Sequence, residues 1–276
     1  MMLVLPPGSC DTHFHFFDQS RYSFAPSRSY TPTDALLLDY NNLRKAYGID
    51  CAVLVHPSVY GADHQSFEDA LRENQDWLRG VAVVYPDTSE NDIARWHALG
   101  ARGARVNALF KGGPGIAGIR QIVEKIKPFG WHLQLLIDIE KDPELAQKVC
   151  EMGVEVVIDH MGHHEAQELT AAPGFSNVLS LLKEGRAWVK LSGPYRISAA
   201  SPAYLDVRPV VDQLLEANCK QLVWGTDWPH PSPHYPVPTD GRLVELVFEW
   251  LPEASLREQV LVHNPKQLYW RDSIAS

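Results

Sequence analysis

The side chains in this sequence that could do chemistry arrive in short bursts, each at the end of an apolar run. Asp11-Thr12-His13-Phe14-His15 closes the first. Residues i and i+2 of a strand share a face, so His13 and His15 would enter one site together, as two metal ligands or as two donors aimed at one oxygen. Further on, Ile158-Asp159-His160-Met161-Gly162 offers a third imidazole in His160. Trp224-Gly225-Thr226-Asp227-Trp228-Pro229-His230 places the Asp227 carboxylate ahead of a proline-rich loop. Such a set suits a metal-free site, with imidazoles aimed at one oxygen beside a carboxylate, or a Zn²⁺ or Mn²⁺ site built from His13, His15, His160 and Asp227. Two arginines, Arg105 in Gly103-Ala104-Arg105-Val106-Asn107 and Arg196 in Ser192-Gly193-Pro194-Tyr195-Arg196, are costly to bury without an anion and point to an anionic substrate. Lys111, in Lys111-Gly112-Gly113-Pro114-Gly115, would add a third cation. That loop lacks the Gly-Lys-Ser/Thr spacing of a phosphate cradle and reads as a lid. His56 follows another apolar run and is a second-rank candidate for the same mouth.

Each of these residues alone has a plainer explanation: His160 as a satisfied core histidine, Asp227 as the start of a turn, the arginines as salt-bridge partners. Convergence favours a site, and it depends on the elements that carry them. Eight short apolar runs span 8–13, 51–56, 78–84, 101–106, 132–137, 154–159, 187–191 and 221–224. They are bare and β-rich, as expected of parallel strands covered on both faces. Helical patterns follow over 39–47, 66–76, 89–99, 116–129, 143–152, 175–184, 205–217 and 241–250, with Gly48, Gly100, Gly130, Gly153 and Gly185 as exits. Eight such units point to an α/β fold, a (β/α)₈ barrel occupying 1–276 as one domain, with a doubly wound open sheet as the alternative. A barrel collects its chemistry at the carboxyl ends of its strands, where these residues stand. There strand eight would meet strand one and bring Asp227 to the histidines. His132, at the start of a strand, belongs to the opposite face and reads as structural. His163 and His164 read as solvated, and His230 and His234 as loop-shaping.

The chain has 276 residues, 45% hydrophobic and 21% charged, which excludes disorder and fibrous classes. Its net charge of −9 lacks the basic footprint of nucleic-acid binding. The start has no basic segment before a long apolar run, and no stretch is apolar enough to span a membrane, so a cytoplasmic protein is expected. Cys10, Cys51, Cys150 and Cys219 are far apart in sequence and read as reduced thiols.

In order, the strand-end motifs resemble those of the amidohydrolase-related lactonases, most nearly their 2-pyrone-dicarboxylate branch. The likeness extends to Gly130-Trp131-His132, Trp188-Val189-Lys190-Leu191-Ser192, Ala25-Pro26-Ser27-Arg28-Ser29-Tyr30-Thr31-Pro32, Gly61-Ala62-Asp63 and Asn264-Pro265-Lys266-Gln267-Leu268-Tyr269-Trp270. The resemblance implies an amidohydrolase-like barrel that hydrolyses cyclic esters, in this branch without a metal. It implies that Asp227 activates water and that His13, His15 and His160 polarise the scissile carbonyl. Arg105, Arg196, Tyr30 and Ser58 would hold substrate carboxylates, with Asn107, Tyr195, His56 and Lys111 as further substrate contacts. Three departures concern the substrate: Lys111 where the family has arginine, Leu136 where it has tyrosine, and His56 where it has glutamine. The expected partner is a small anionic lactone. Rival functions are a metal-dependent decarboxylase of the same superfamily, a sugar-acid lactonase or lactone isomerase, and a non-catalytic binding protein. Against a metal, Arg105 stands at the end of strand four, where two ions would need a bridging ligand, and strand five ends in Gln134, Leu136 and Asp138 without a histidine.

Overall fold

The computed structural model describes residues 3–109, 116–231 and 236–271. Lys111 with its glycine-rich loop, and His234, lie outside the described residues. Eight parallel strands form one sheet in sequence order: β1 Cys10–Phe14, β2 Cys51–Val55, β3 Leu78–Val83, β4 Ala101–Asn107, β5 His132–Leu136, β6 Val156–Ile158, β7 Ala187–Leu191 and β8 Leu222–Trp224. Between them run helices α1 Leu37–Tyr47, α2 Gln65–Glu73, α3 Glu90–Leu99, α4 Ile119–Ile126, α5 Leu145–Glu151, α6 Ala166–Leu169, α7 Pro173–Lys183 and α8 Arg208–Asn218, followed by α9 Asp240–Trp250, α10 Ala254–Glu258 and α11 Asn264–Tyr269. This is the (β/α)₈ barrel expected from the repeating pattern, and the open doubly wound sheet is set aside. The five glycines read as helix exits all have positive φ, from 66° to 110°.

Alternation along the strands separates two apolar layers. Outward residues such as Leu54, Val106, Leu135 and Val189 pack under the helices. Inward residues Cys10, Val53, Val81, Val157, Trp188 and Val223 fill the lower barrel, where Leu268 and Tyr269 of α11 join them. Their upper neighbours on the same inward face are polar and buried: Arg105, Gln134 and Lys190.

β1 departs from strict alternation. Asp11 pairs with Ala52 and Phe14 with Leu54, so Thr12 and His13 together stand opposite Val53, the signature of a β-bulge. The extra residue lets Cys10 below and His13 above both face inward, while Phe14 turns out to stack on Tyr40 of α1 at 3.6 Å. The circle closes above β8, where Phe14 bridges Trp228. There the Asp227 N–H donates to the His13 carbonyl at 2.8 Å, and the His15 N–H to the Trp228 carbonyl at 2.7 Å. Asp11 clamps this seam, accepting from Thr226 Oγ1 at 2.6 Å and Tyr40 Oη at 3.0 Å. A Cβ at Gly225 would lie 2.6 Å from His13 Cβ, so only glycine lets β8 approach β1 this closely.

Candidate active site

Main-chain closure of β1 onto the segment after β8 puts the Asp227 carboxylate against the histidines. Its Oδ1 lies 3.7 Å from His13 Nε2 and 3.6 Å from His15 Nε2, and its Oδ2 lies 3.9 Å from His160 Nε2. Oδ2 is taken: Tyr195 Oη donates to it at 2.5 Å and Arg196 Nε at 2.6 Å. Oδ1 is fully buried and has no hydrogen-bond partner. One oxygen is thus locked, with His160 beside it, and the other is open toward His13 and His15. Burial alone would push the Asp227 carboxyl up, but Arg196, with His160 and His15, outweighs it and holds it well below the ordinary carboxylate range.

The imidazoles are neutral for a shared reason. Burial drives His13 down to about 3, His15 below its ordinary value and His160 well below it. Each ring is also oriented from behind: His15 Nδ1 faces the Val55 carbonyl at 2.7 Å, His160 Nδ1 faces Ser192 Oγ at 3.0 Å, and His13 Nδ1 faces Asp159 Oδ1 at 3.3 Å. The backbone bends sharply to achieve this. His160 and Asp227 hold φ of 50° and 59°, a left-handed region that costs non-glycine residues energy and that accumulates at functional sites. A Cβ at Gly193 would lie 2.8 Å from His160 Nδ1, so glycine there makes room for the ring.

Above these groups lies a small cavity, lined among others by His15, Tyr30, Ser58, Arg105, Asn107, Leu136, His160 and Arg196. Most of the expected substrate contacts therefore share one chamber. Two do not. His56 turns away from the cavity: its Nε2 bonds the Asp63 carbonyl at 3.0 Å and its ring stacks on His64 at 4.2 Å, because it follows the inward Val53 and Val55 and so falls on the outer face. Tyr195 spends its hydroxyl on Asp227 rather than on the cavity. His163 and His164 are half-buried rather than solvated, with His164 Nδ1 bonding Asp138 at 3.1 Å. His132 packs under the site edge-on to Tyr269 at 5.3 Å, and His230 bonds Asp240 at 3.0 Å, both as the sequence suggested.

Beneath the site runs a polar layer that the motif reading passed over. Asp159 Oδ2 accepts from Arg105 Nε and from Gln134 Nε2, each at 3.0 Å. Fully buried Lys190 donates to the Thr12 carbonyl at 2.9 Å and to Gln134 Oε1 at 2.8 Å. One signal could have found it: a lysine two residues after Trp188 in an otherwise apolar strand must face the same interior.

Ligand atoms of His13, His160 and Asp227 lie within 4.8 Å of one another, and by type they suit Zn²⁺ or Mn²⁺. The charges around them do not. Arg196 sits 2.6 Å from one oxygen of the only carboxylate in the set, and Lys190 Nζ stands 3.5 Å behind His13.

Residues 10–271 match the profile of the family described as "Amidohydrolase". The chain belongs to the amidohydrolase family. As a member it is an enzyme of the hydrolase class, as the motifs led one to expect. Amidohydrolases similar to it include a 2-pyrone-4,6-dicarboxylate hydrolase of Comamonas testosteroni, 33% identical over 98% of this chain and 92% of that one. Another is a 4-sulfomuconolactone hydrolase of Hydrogenophaga intermedia, 32% identical over 98% and 91%. Among solved amidohydrolase structures, a probable 2-pyrone-4,6-dicarboxylic acid hydrolase of Acinetobacter baumannii with citric acid bound superposes with a TM-score of 0.84 at 25% identity, covering 95% of this chain and 99% of that one. No helix among the described residues is long and apolar enough to cross a membrane.

Proposed function

We propose that this protein opens a carboxylated lactone of the 2-pyrone-4,6-dicarboxylate type with Asp227 as its general base. One observation carries the reading: Asp227 has one oxygen locked by Arg196 and Tyr195 and the other unpartnered, facing the histidines at the foot of an arginine-lined cavity. Oδ1 takes a proton from water as the water oxygen adds to the ring carbonyl. His13, His15 and His160 surround the oxygen on which charge then develops. Collapse breaks the ring C–O bond, and the proton held by Asp227 passes to the leaving enolate or alkoxide. Arg105 and Arg196 each hold a buried carboxylate through Nε while lining the cavity, which suits them to bind and orient substrate carboxylates. The relatives named above act on lactones bearing carboxylate or sulfonate groups, by their names, which supports an anionic ring substrate.

The test is a panel containing 2-pyrone-4,6-dicarboxylate, 4-sulfomuconolactone and galactarolactone, run with and without exhaustive chelation. Opening of a planar carboxylated lactone, undiminished by chelation, is expected. Asp227→Asn should lose about 10³-fold or more in kcat while still binding substrate, within the span of general-base effects. Near-normal turnover by that variant, or no reaction on any lactone, overturns the proposal. Isomerisation of galactarolactone without hydrolysis would point to the isomerase alternative.

A further inference from the structure

The unexplained group at this site is Lys190, a lysine with no exposed surface inside the barrel. An ammonium has three protons and no lone pair. Two protons go to the Thr12 carbonyl and to Gln134 Oε1. The remaining partners within reach are His13 Nδ1 at 3.5 Å and Asp159 Oδ1 at 3.6 Å. His13 Nδ1 is therefore contested. Asp159 Oδ1, 3.3 Å away, can only accept and would favour a proton on Nδ1; Lys190 can only donate and favours a lone pair there.

His15 decides between them. Its Nδ1 faces the Val55 carbonyl at 2.7 Å and must carry the proton, so its Nε2 is a bare lone pair. His13 Nε2 lies 3.3 Å from that lone pair. The contact is favourable only if His13 Nε2 bears the hydrogen, which leaves Nδ1 to accept from Lys190. Consistently, Asp159 Oδ1 is left without a hydrogen-bond partner. Burial lowers Lys190 to about 8, so it remains largely an ammonium at neutral pH.

We infer that Lys190 is a positioning residue that selects the Nε2–H tautomer of His13, whose hydrogen rests on the His15 lone pair in the free site and turns to the reacting oxygen as charge develops there. With the other tautomer, neither Nε2 of the pair would carry a hydrogen to offer a developing oxyanion. The β1 bulge contributes, because Thr12, whose carbonyl receives Lys190, is one of the two residues opposite Val53.

The experiment compares wild type, Lys190→Met and Lys190→Met/Asp159→Asn. Protein labelled with ¹⁵N in histidine reports the His13 tautomer, its ring signals being identified by their loss in His13→Gln. Wild type should show Nε2–H, and Lys190→Met should switch to Nδ1–H as His13 turns its proton to Asp159. In the double variant the side-chain amide that replaces the Asp159 carboxylate can keep accepting from Arg105 and Gln134 through its oxygen while its NH₂ donates to His13 Nδ1. The double variant should therefore return to Nε2–H. Kinetically, Lys190→Met should lose about 10²-fold in kcat with KM nearly constant, the scale of one oxyanion donor, and the double variant should recover about tenfold. Nδ1–H in wild type, an unchanged tautomer in Lys190→Met, or no recovery in the double variant overturns the inference. If Lys190→Met does not fold, the charge-balanced double variant and the wild-type spectrum still decide it. The kinetic arm rests on the lactone-opening reading; the spectra need no substrate and stand or fall separately.

Discussion

His13, His15 and His160 on one side of β2, and His56 with His64 beyond its end, are all nine-tenths or more buried. Burial pushes all five imidazoles below their ordinary pKa. They differ in what their ring nitrogens meet. His56 and His64 bond the Asp63 and Ala62 carbonyls and sit in an aromatic pile, with Trp96 4.1 Å from His64. The other three meet a carboxylate, one another and a cavity. Desolvation is thus common to both groups and identifies neither. A half-satisfied Asp227, held by a cation, separates the group proposed for catalysis from the packing group.

That contrast can be broken experimentally. Among the histidines the largest effect belongs to His160→Asn or His13→Asn, each expected to cut kcat by about 10²-fold or more by removing a polar group from the developing oxyanion. Equal losses in His64→Asn, with its fold intact by circular dichroism, would erase the distinction. Arg196→Met comes next. It removes the main influence opposing burial, so the Asp227 carboxyl should rise, and activity should be lost as pH falls through the raised value. A pH profile of kcat/KM should accordingly gain an acid limb at higher pH than in wild type. Arg105→Met should act mainly on binding, raising KM about tenfold, which corresponds to ~1.4 kcal/mol.

Smaller effects concern stability. Histidines held neutral by burial cannot take the protons that the unfolded chain accepts below its ordinary imidazole pKa of about 6.5. Stability should therefore be level above that pH and decline as pH falls below it, read as Tm between pH 8 and about 5. His56→Gln should flatten part of that decline. It should also cost ~1 kcal/mol for the lost bond to Asp63 and leave kcat/KM within about twofold. A large loss of turnover would return His56 to the active site.

The barrel was legible because its strands are apolar runs bounded by glycine exits; β2, β5 and β7 start where the runs do. β6 begins later than expected, at Val156, since the residues before it belong to the turn from α5. The chain after α9 was not resolved into helices in advance: α10 and α11 are short, and Leu268 and Tyr269 are there to fill the lower barrel rather than to form an amphipathic face. At the site, strand ends located His13, His15, His160, Asp227, Arg105 and Arg196, because position along a parallel strand determines depth in the barrel. His56 was misplaced because a strand end gives depth but not face, and the inward Val53 and Val55 put it on the outer one. Asp159, Gln134 and Lys190 escaped because their partners lie on other strands, and those pairings exist only after closure.

The bulge in β1 makes the site depend on parity as well as on composition. In an unbroken ladder continuing from Cys10, Phe14 would point into the barrel, and both His13 and His15 would point out beneath the helices. Substitution can weaken the chemistry by degrees, but adding or deleting one residue between His13 and the ladder below it makes the step from Cys10 even and the bulge unnecessary. Deleting Thr12 should preserve the orientation and height of both imidazoles while removing the carbonyl on which Lys190 rests, and inserting a residue beside it should keep them facing inward but raise them along β2, away from Asp227. The first strand of this enzyme is read by counting, and its count is set at a single residue.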